Sequence, residues 1–201
     1  MSNLFILYPK EFNCYSKFER KVNKLTSNLK DLNIYFLDDS NLMIQKFSAD
    51  DDRVSNLHQI NDWHSINFSY AIVFDDGEEF IDECIVLKEK EIPFRIIKIA
   101  ITRVINIRLE TEFEAKNDSS NYCYIGRGSY WGNPHAMYEN GDTREDVIRK
   151  YKYDFDFDKF INKKKSKVYA LQGKRLGCFC KPESCHGDIL ADYLNSWDDG
   201  M

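Results

Sequence analysis

The side chains best suited to chemistry lie near the C-terminal end of this 201-residue chain. Cys178, Cys180, Cys185, His186 and Asp188 fall between positions 178 and 188. Thiolates, imidazoles and carboxylates bind metal ions, attack substrates and transfer protons. No other stretch of the sequence gathers as many such groups, so this stretch is the first candidate for a functional site.

Three interpretations of this cluster are compatible with its spacing. In the first, Cys178, Cys180, Cys185 and His186 bind zinc as three thiolates and one imidazole. In the second, Cys185 is a metal-free nucleophile, because a helix N-terminus lowers the pKa of a thiol placed there, and His186 or Asp188 acts as acid or base. In the third, the thiols are buried packing groups and His186 caps a helix. Spacing alone does not choose among the three.

A glycine-rich segment farther upstream, residues 126–134, supplies groups suited to holding an anion. Its glycines permit close backbone approach to a ligand, an arginine pairs with phosphate through its planar fork, and a tryptophan offers a stacking face. The candidates for substrate binding are Gly126, Arg127, Gly128, Ser129, Trp131, Asn133 and, farther along, Arg144. The alternative is a structural turn with Trp131 in the core and Arg144 in solvent.

Composition limits the class of protein. The chain is 43% hydrophobic and 30% charged, which is typical of a folded globular protein. Its net charge of −5 and the lack of a broad basic face argue against duplex nucleic acid as a partner. We find no apolar run of membrane-spanning length and no secretory signal, so we expect a cytoplasmic protein with no membrane partner, whose six cysteines are thiols or metal ligands. A homo-oligomer or a protein partner stays open.

Apolar segments alternate with amphipathic ones over the first hundred residues. The predicted strands are 4–8, 34–37, 70–74 and 94–99, and the predicted helices are 16–32 and 78–91. This alternation predicts a parallel sheet covered by helices, with ligands beyond the carboxyl ends of the strands. Residues 41–62 are left unassigned, and residues 104–107 are expected to extend the same sheet.

The C-terminal part predicts a second, smaller domain. Its elements are a strand at 122–125, a helix capped by Thr143 and Asp146, a strand at 176–180, and a helix beginning at Cys185 and His186. The predicted fold class is therefore α/β: a Rossmann-like parallel-sheet domain followed by a small α/β or α+β domain. We place the first domain at 1–110, a linker at 111–120 and the second domain at 121–201.

The segment AIVFDDG at 71–77, with the helix after it and the strand beginning near Phe94, resembles the SLOG superfamily of Rossmann-like nucleotide-binding domains. The resemblance implies that a glycine-rich loop after this strand surrounds a phosphate. This chain has Asp75, Asp76 and a single glycine there, and two carboxylates repel a phosphate. We therefore expect a degenerate domain whose nucleotide site is lost or altered.

Three motifs of the C-terminal part resemble the domain-of-unknown-function family number 4326, which is found in bacteria and tailed phages. They are GRGSxWGNP at 126–134, TRE at 143–145 and CxCxPxxCHGD at 178–188, in that order. The resemblance implies a family and leaves its chemistry open.

These features lead to one main hypothesis and one alternative. In the main hypothesis the protein processes a nucleotide or nucleoside-sugar, as a hydrolase or transferase acting on an N-glycosidic or phosphoester bond, with Asp188 as general acid or base. In the alternative it binds or sequesters a nucleotide without turnover, as a phage-encoded protein acting on a host system. Both take a phosphorylated small molecule as partner, and zinc is the only cofactor that the sequence suggests.

Overall fold

The computed structural model describes residues 2–113, 118–138 and 141–200, and these form two compact units. The first unit comprises residues 1–99 and 196–201, and the second comprises residues 100–195. The linker expected at 111–120 falls partly outside the described residues, so its bounds stay a prediction. Among the described residues, no helix has both the length and the apolar character that crossing a membrane requires.

The first unit is built on a five-stranded, fully parallel sheet with the strand order β3-β2-β1-β4-β5. Its strands are β1 (Ser2–Leu7), β2 (Leu32–Phe36), β3 (Val54–Gln59), β4 (Tyr70–Asp75) and β5 (Phe94–Lys98). Its helices are α1 (Tyr15–Thr26), α2 (Met43–Asp50) and α3 (Ile81–Glu89). This arrangement confirms the predicted Rossmann-like α/β class.

The central strands read as continuous apolar runs because helices and loops cover both faces of a parallel sheet. Leu4, Phe5 and Ile6 of β1 are fully buried. On one face, Phe18 of α1 stacks on Phe74 of β4 with ring centroids 5.2 Å apart. The apolar strands and the amphipathic helix α1 therefore form the core of the first unit, as the sequence predicts.

Two features of the sheets differ from the sequence prediction. The unassigned segment 41–62 supplies helix α2 and the edge strand β3, whose alternating positions are largely exposed and so carry no apolar pattern. The strand Arg103–Asn106 does not extend the first sheet. It pairs in parallel with residues 175–178 of the second sheet, because its buried Ile105 packs in that unit's core.

The second unit has a three-stranded parallel sheet, ordered β6-β8-β7, and two α-helices. The strands are β6 (Arg103–Asn106), β7 (Tyr122–Tyr124) and β8 (Arg175–Cys178), and the helices are α4 (Arg144–Asp156) and α5 (His186–Asn195). A 3-10 helix spans Lys165–Leu171. The central strand β8 ends at Cys178, so the cysteine motif begins at the carboxyl end of the middle strand of the sheet.

Candidate functional site in the second unit

A cavity of about 180 Å³ opens in the second unit, beyond the end of β8. Its walls come from the glycine-rich loop, the start of α4 and the cysteine motif. The lining residues are Gly126, Arg127, Asn133, His135, Met137, Arg144, Val147, Ile148, Cys178, Phe179, Cys180, Ser184 and His186. The cavity therefore joins the three motifs that are separate in the sequence.

The three cysteines of the motif converge on one point. The sulfur atoms of Cys178, Cys180 and Cys185 all lie within 4.8 Å of one another, and those of Cys178 and Cys180 are 3.5 Å apart. Cys178 and Cys185 are buried, whereas Cys180 is partly exposed. Three thiols so close together form a cluster that could bind a metal ion.

Within this cluster one thiol is favoured to ionise. Hydrogen bonds from Cys178 and Cys185 hold the pKa of Cys180 well below its usual range. Hydrogen bonds with Cys178 and Cys180, together with burial, raise the pKa of Cys185. Sequence reasoning assigns the reactive thiolate to Cys185 from its place at a helix start, and this stays a prediction, whereas the directions of the pKa shifts favour Cys180.

His186 lies beside the sulfur cluster but outside it. Its Nε2 is 2.9 Å from the carbonyl oxygen of Ile125, and its Nδ1 is 3.7 Å from the sulfur of Cys185. The carbonyl can only accept, so Nε2 carries the proton and Nδ1 faces Cys185. Burial lowers the pKa of His186. The ring is therefore held neutral and oriented by the backbone of the glycine-rich loop.

The start of α5 is capped reciprocally by two residues of the motif. The sulfur of Cys185 accepts the backbone N–H of Gly187 at 3.4 Å, and the carboxylate of Asp188 accepts the backbone N–H of Cys185 at 2.9 Å. The other Asp188 oxygen lies 2.7 Å from Nζ of Lys181. Asp188 does not line the cavity, so the structure gives this carboxylate a capping position rather than a place beside a ligand.

Some of the predicted binding residues of the glycine-rich loop line the cavity, and others are buried in the core. Arg127 lines the cavity, and among the described residues no hydrogen bond or ion pair engages its guanidinium. Asn133 also lines it, but its amide donates to the Val147 carbonyl and accepts the His135 N–H, which fixes the loop to α4. Trp131 is only 4% exposed and belongs to the core.

Two of the remaining loop candidates, Gly128 and Ser129, lie away from the cavity. Gly128 has a φ of +87°, and Ser129 has a buried hydroxyl with no hydrogen-bond partner among the described residues. Both line a separate, open depression beside Tyr124 and Tyr130. Gly126 does line the cavity, and its Cα hydrogen faces the ring of Tyr124 so closely that no side chain fits there.

Arg144 is the second arginine of the cavity. It is the first residue of α4, whose start is capped by Thr143 and Asp146 as the sequence predicts. Its Nη1 donates to the Ser184 carbonyl at 3.2 Å, and its side chain contributes to lowering the pKa of Cys180. The alternative that leaves Arg144 in solvent therefore does not describe its position, because the side chain links α4 to the cysteine motif.

His135 is a cavity residue that sequence reasoning missed. Its Nε2 is 2.8 Å from Oδ2 of Asp154 on α4. An ionised carboxylate accepts, so this contact places the proton on Nε2, and no described residue hydrogen-bonds Nδ1. In the sequence His135 is marked only by its position directly after the GNP triplet. Its partner Asp154 lies nineteen positions away, so no local pattern reveals the pair.

One part of the cavity wall is apolar. Met137, Val147, Ile148 and Phe179 line it, and the ring of Phe179 is 44% exposed. Arg108 lies over the Phe179 ring with its guanidinium carbon 5.0 Å from the centroid. The cavity thus combines cationic groups with a flat apolar surface, as ligands with an aromatic and a phosphorylated part require.

At the strand ends of the first unit, two carboxylates form hydrogen bonds and an ion pair with groups of the same unit. Asp39 accepts the Tyr8 hydroxyl at 2.6 Å and the backbone N–H groups of Ile44 and Gln45 at the start of α2. Asp75 pairs with Lys98 and accepts the Gly77 N–H. These carboxylates occupy the positions where a parallel sheet of this kind would place its anionic ligand.

Comparisons with known proteins find both families that the motifs resemble. A model described as the minimal SLOG domain matches residues 1–105, and a model of DUF4326, a domain of unknown function, matches residues 107–196. Over 72 residues the chain is 42% identical to an uncharacterized 12.4 kDa protein in the nrdA-td intergenic region of Enterobacteria phage T4, which covers 35% of this chain and 65% of that protein. No solved structure matches the chain.

Proposed function

Because this chain belongs to the minimal SLOG domain family through residues 1–105, we propose that it acts on a nucleotide and that the reaction takes place in the cavity of its second unit. The proposed reaction is hydrolysis of a phosphoester bond in a nucleoside phosphate. The proposed compartment is the cytoplasm, where the six unpaired thiols stay reduced.

The observation that carries this proposal is the pairing of Arg127 and Arg144 on a cavity that has no carboxylate among its described lining residues. Two guanidinium groups attract a phosphate, and each can bind two of its oxygens. Arg127 is the stronger candidate, since no described residue engages its guanidinium. Arg144 is positioned by Ser184 and so presents a fixed second contact.

The lining also supports one of the two bonds that the sequence leaves open. N-glycosidic hydrolysis passes through an oxocarbenium-like transition state, which enzymes stabilise with carboxylates. Phosphoryl transfer instead develops negative charge on oxygen, which arginines stabilise. Two arginines, with no carboxylate among the described lining residues, therefore favour the phosphoester.

His135 is the proposed general base. Asp154 holds the proton of the ring on Nε2, which leaves Nδ1 as a basic nitrogen able to take a proton from water. Asp188 does not line the cavity, so His135 replaces it in this proposal. Phe179 supplies the surface on which the nucleobase stacks.

A panel of nucleoside mono-, di- and triphosphates, tested by thermal shift and by chromatography of the products, examines the proposal. We expect the melting temperature to rise with at least one nucleotide and that nucleotide to release phosphate. Release of a free base would show glycosidic cleavage instead. A raised melting temperature without product would favour the non-catalytic binding module, and no shift with any nucleotide would overturn the proposal.

A further inference from the structure

We infer that Cys178, Cys180 and Cys185 together bind one zinc ion as three thiolates, and that its fourth coordination position faces the cavity. The inference deepens the proposed function, because it adds a metal ion to the same cavity. It differs from a structural zinc site, in which four protein ligands close the coordination sphere. A site with three protein ligands leaves one position for water or for a ligand atom.

The positions of the sulfur atoms are the first support. All three lie within 4.8 Å of one another, although they come from the end of β8, the loop after it and the start of α5. Ligand atoms that share a tetrahedral metal ion lie at separations of this order, since zinc–sulfur bonds are about 2.3 Å long. Packing alone does not require three polarisable thiols from three elements to meet at one point.

The backbone around the cluster is the second support. The Gly187 N–H donates to the Cys185 sulfur at 3.4 Å, at the N-terminus of α5. Such a donor and the helix dipole stabilise negative charge on that sulfur, which a metal-bound thiolate needs. Gly187 is also held close to its neighbours: a Cβ there would collide with Ile125.

His186 is not the fourth ligand in this arrangement. Its Nδ1 lies 3.7 Å from the sulfur of Cys185 but outside the group of ligand atoms that lie within 4.8 Å of one another. Cys178 and Cys180 line the cavity, whereas Cys185 is buried and does not line it. The open coordination position therefore points to the side from which a nucleoside phosphate would enter.

The charges around the cluster agree with this assignment. Three thiolates and one zinc ion carry a net charge of −1. Arg144 lines the same cavity as Cys178 and Cys180 and so places a positive charge near the site. Arg127, also on the cavity, supplies another.

Zinc content of the full-length protein, measured by elemental mass spectrometry after purification without a tag, gives the first test. We expect about one zinc per chain, as a three-cysteine site implies. Cys180→Ser should lower the zinc content at least severalfold, while Cys123→Ser, in the same unit but outside the cluster, should keep it. Absence of zinc in the unaltered chain, even after incubation with zinc chloride, would overturn the inference.

The fourth position is tested on the unaltered chain with cobalt in place of zinc, so the result does not depend on whether a cysteine variant folds. Three thiolates should give strong sulfur-to-cobalt charge-transfer bands and visible bands of tetrahedral cobalt. Added cyanide should shift the visible bands, because it binds an open position. An unchanged spectrum would show four protein ligands and would overturn the open site.

These readouts need no nucleotide and no turnover. If phosphate release fails while zinc and cyanide binding hold, the proposed function is wrong and the metal site stands. If release holds while the unaltered chain takes up no zinc even from zinc chloride, the metal site is wrong and the proposed function stands.

Discussion

Nε2 of His135 lies 2.8 Å from Oδ2 of Asp154, which fastens the end of the glycine-rich loop to helix α4. Both side chains are largely shielded from solvent, with 30% and 20% of their surfaces exposed. Asp154 fixes the orientation and the tautomer of an imidazole that lines the cavity. This pair gives the cavity a group able to accept a proton, next to two arginines able to hold a phosphate.

His135→Gln should abolish most of the phosphate release and leave nucleotide binding intact. General acid–base catalysis contributes about 10²–10⁴-fold, so we expect kcat to fall by that order. Phosphate release and calorimetric binding on the same preparation check this. His64→Gln, which changes an exposed histidine of the first unit, should leave both unchanged. Equal losses in the two variants would contradict the role of His135.

Arg127→Gln should weaken binding of a nucleoside monophosphate and leave binding of the matching nucleoside unchanged. A hydrogen bond to a charged group contributes about 1.5–3 kcal/mol, which corresponds to an affinity loss on the order of 10- to 100-fold. Calorimetry with both ligands measures the difference. Arg149→Gln is the matched control, since Arg149 pairs with Asp146 on the exposed side of α4. An equal loss of affinity for the nucleoside and the nucleotide would contradict phosphate binding by Arg127.

Phe179→Leu should reduce affinity for nucleotides but not for inorganic phosphate. Stacking of a base on an aromatic ring contributes about 1–3 kcal/mol, and leucine keeps the apolar surface without the flat face. Phe179→Tyr preserves the ring and should bind as the unaltered chain does. Competition of each nucleotide against a fluorescent analogue gives the affinities. A loss shared by the leucine and tyrosine variants would point to a disturbed cysteine loop instead of lost stacking.

Asp188→Ala should lower stability and leave nucleotide affinity unchanged. The carboxylate caps α5 through the Cys185 N–H, and loss of such a cap costs about 1 kcal/mol. Urea unfolding measures the change in the free energy of unfolding. Asp156→Ala removes an exposed carboxylate from α4 and should cost less. A complete loss of turnover in Asp188→Ala with unchanged stability would instead restore Asp188 as the general acid or base.

The sequence predicts the fold where local patterns are strong. The apolar runs at β1 and β4 and the Thr143–Asp146 capping box are visible in the chain and are confirmed. The edge strand β3 is missed because its side chains are mostly exposed and show no apolar alternation. The strand 103–106 is placed in the wrong sheet because four residues do not show which partner they pair with.

The candidate site is predictable only as far as its residues are neighbours in sequence. The cysteine motif identifies the thiols that converge, because Cys178 ends β8, Cys180 lies in the loop after it and Cys185 directly precedes α5. The Asp154 partner of His135 lies on α4 and becomes visible only in three dimensions. Which thiol ionises depends on hydrogen bonds among the sulfurs, and these hydrogen bonds cannot be predicted from a sequence pattern.

A crystal structure of the His135→Gln chain grown with the nucleotide that gives the largest thermal shift tests the central claim most directly. The variant should bind this ligand and turn it over too slowly to lose it. We predict a phosphate within hydrogen-bond distance of Arg127 and Arg144 and a base against Phe179. A nucleotide bound at the strand ends of the first unit, with none in this cavity, would contradict the account.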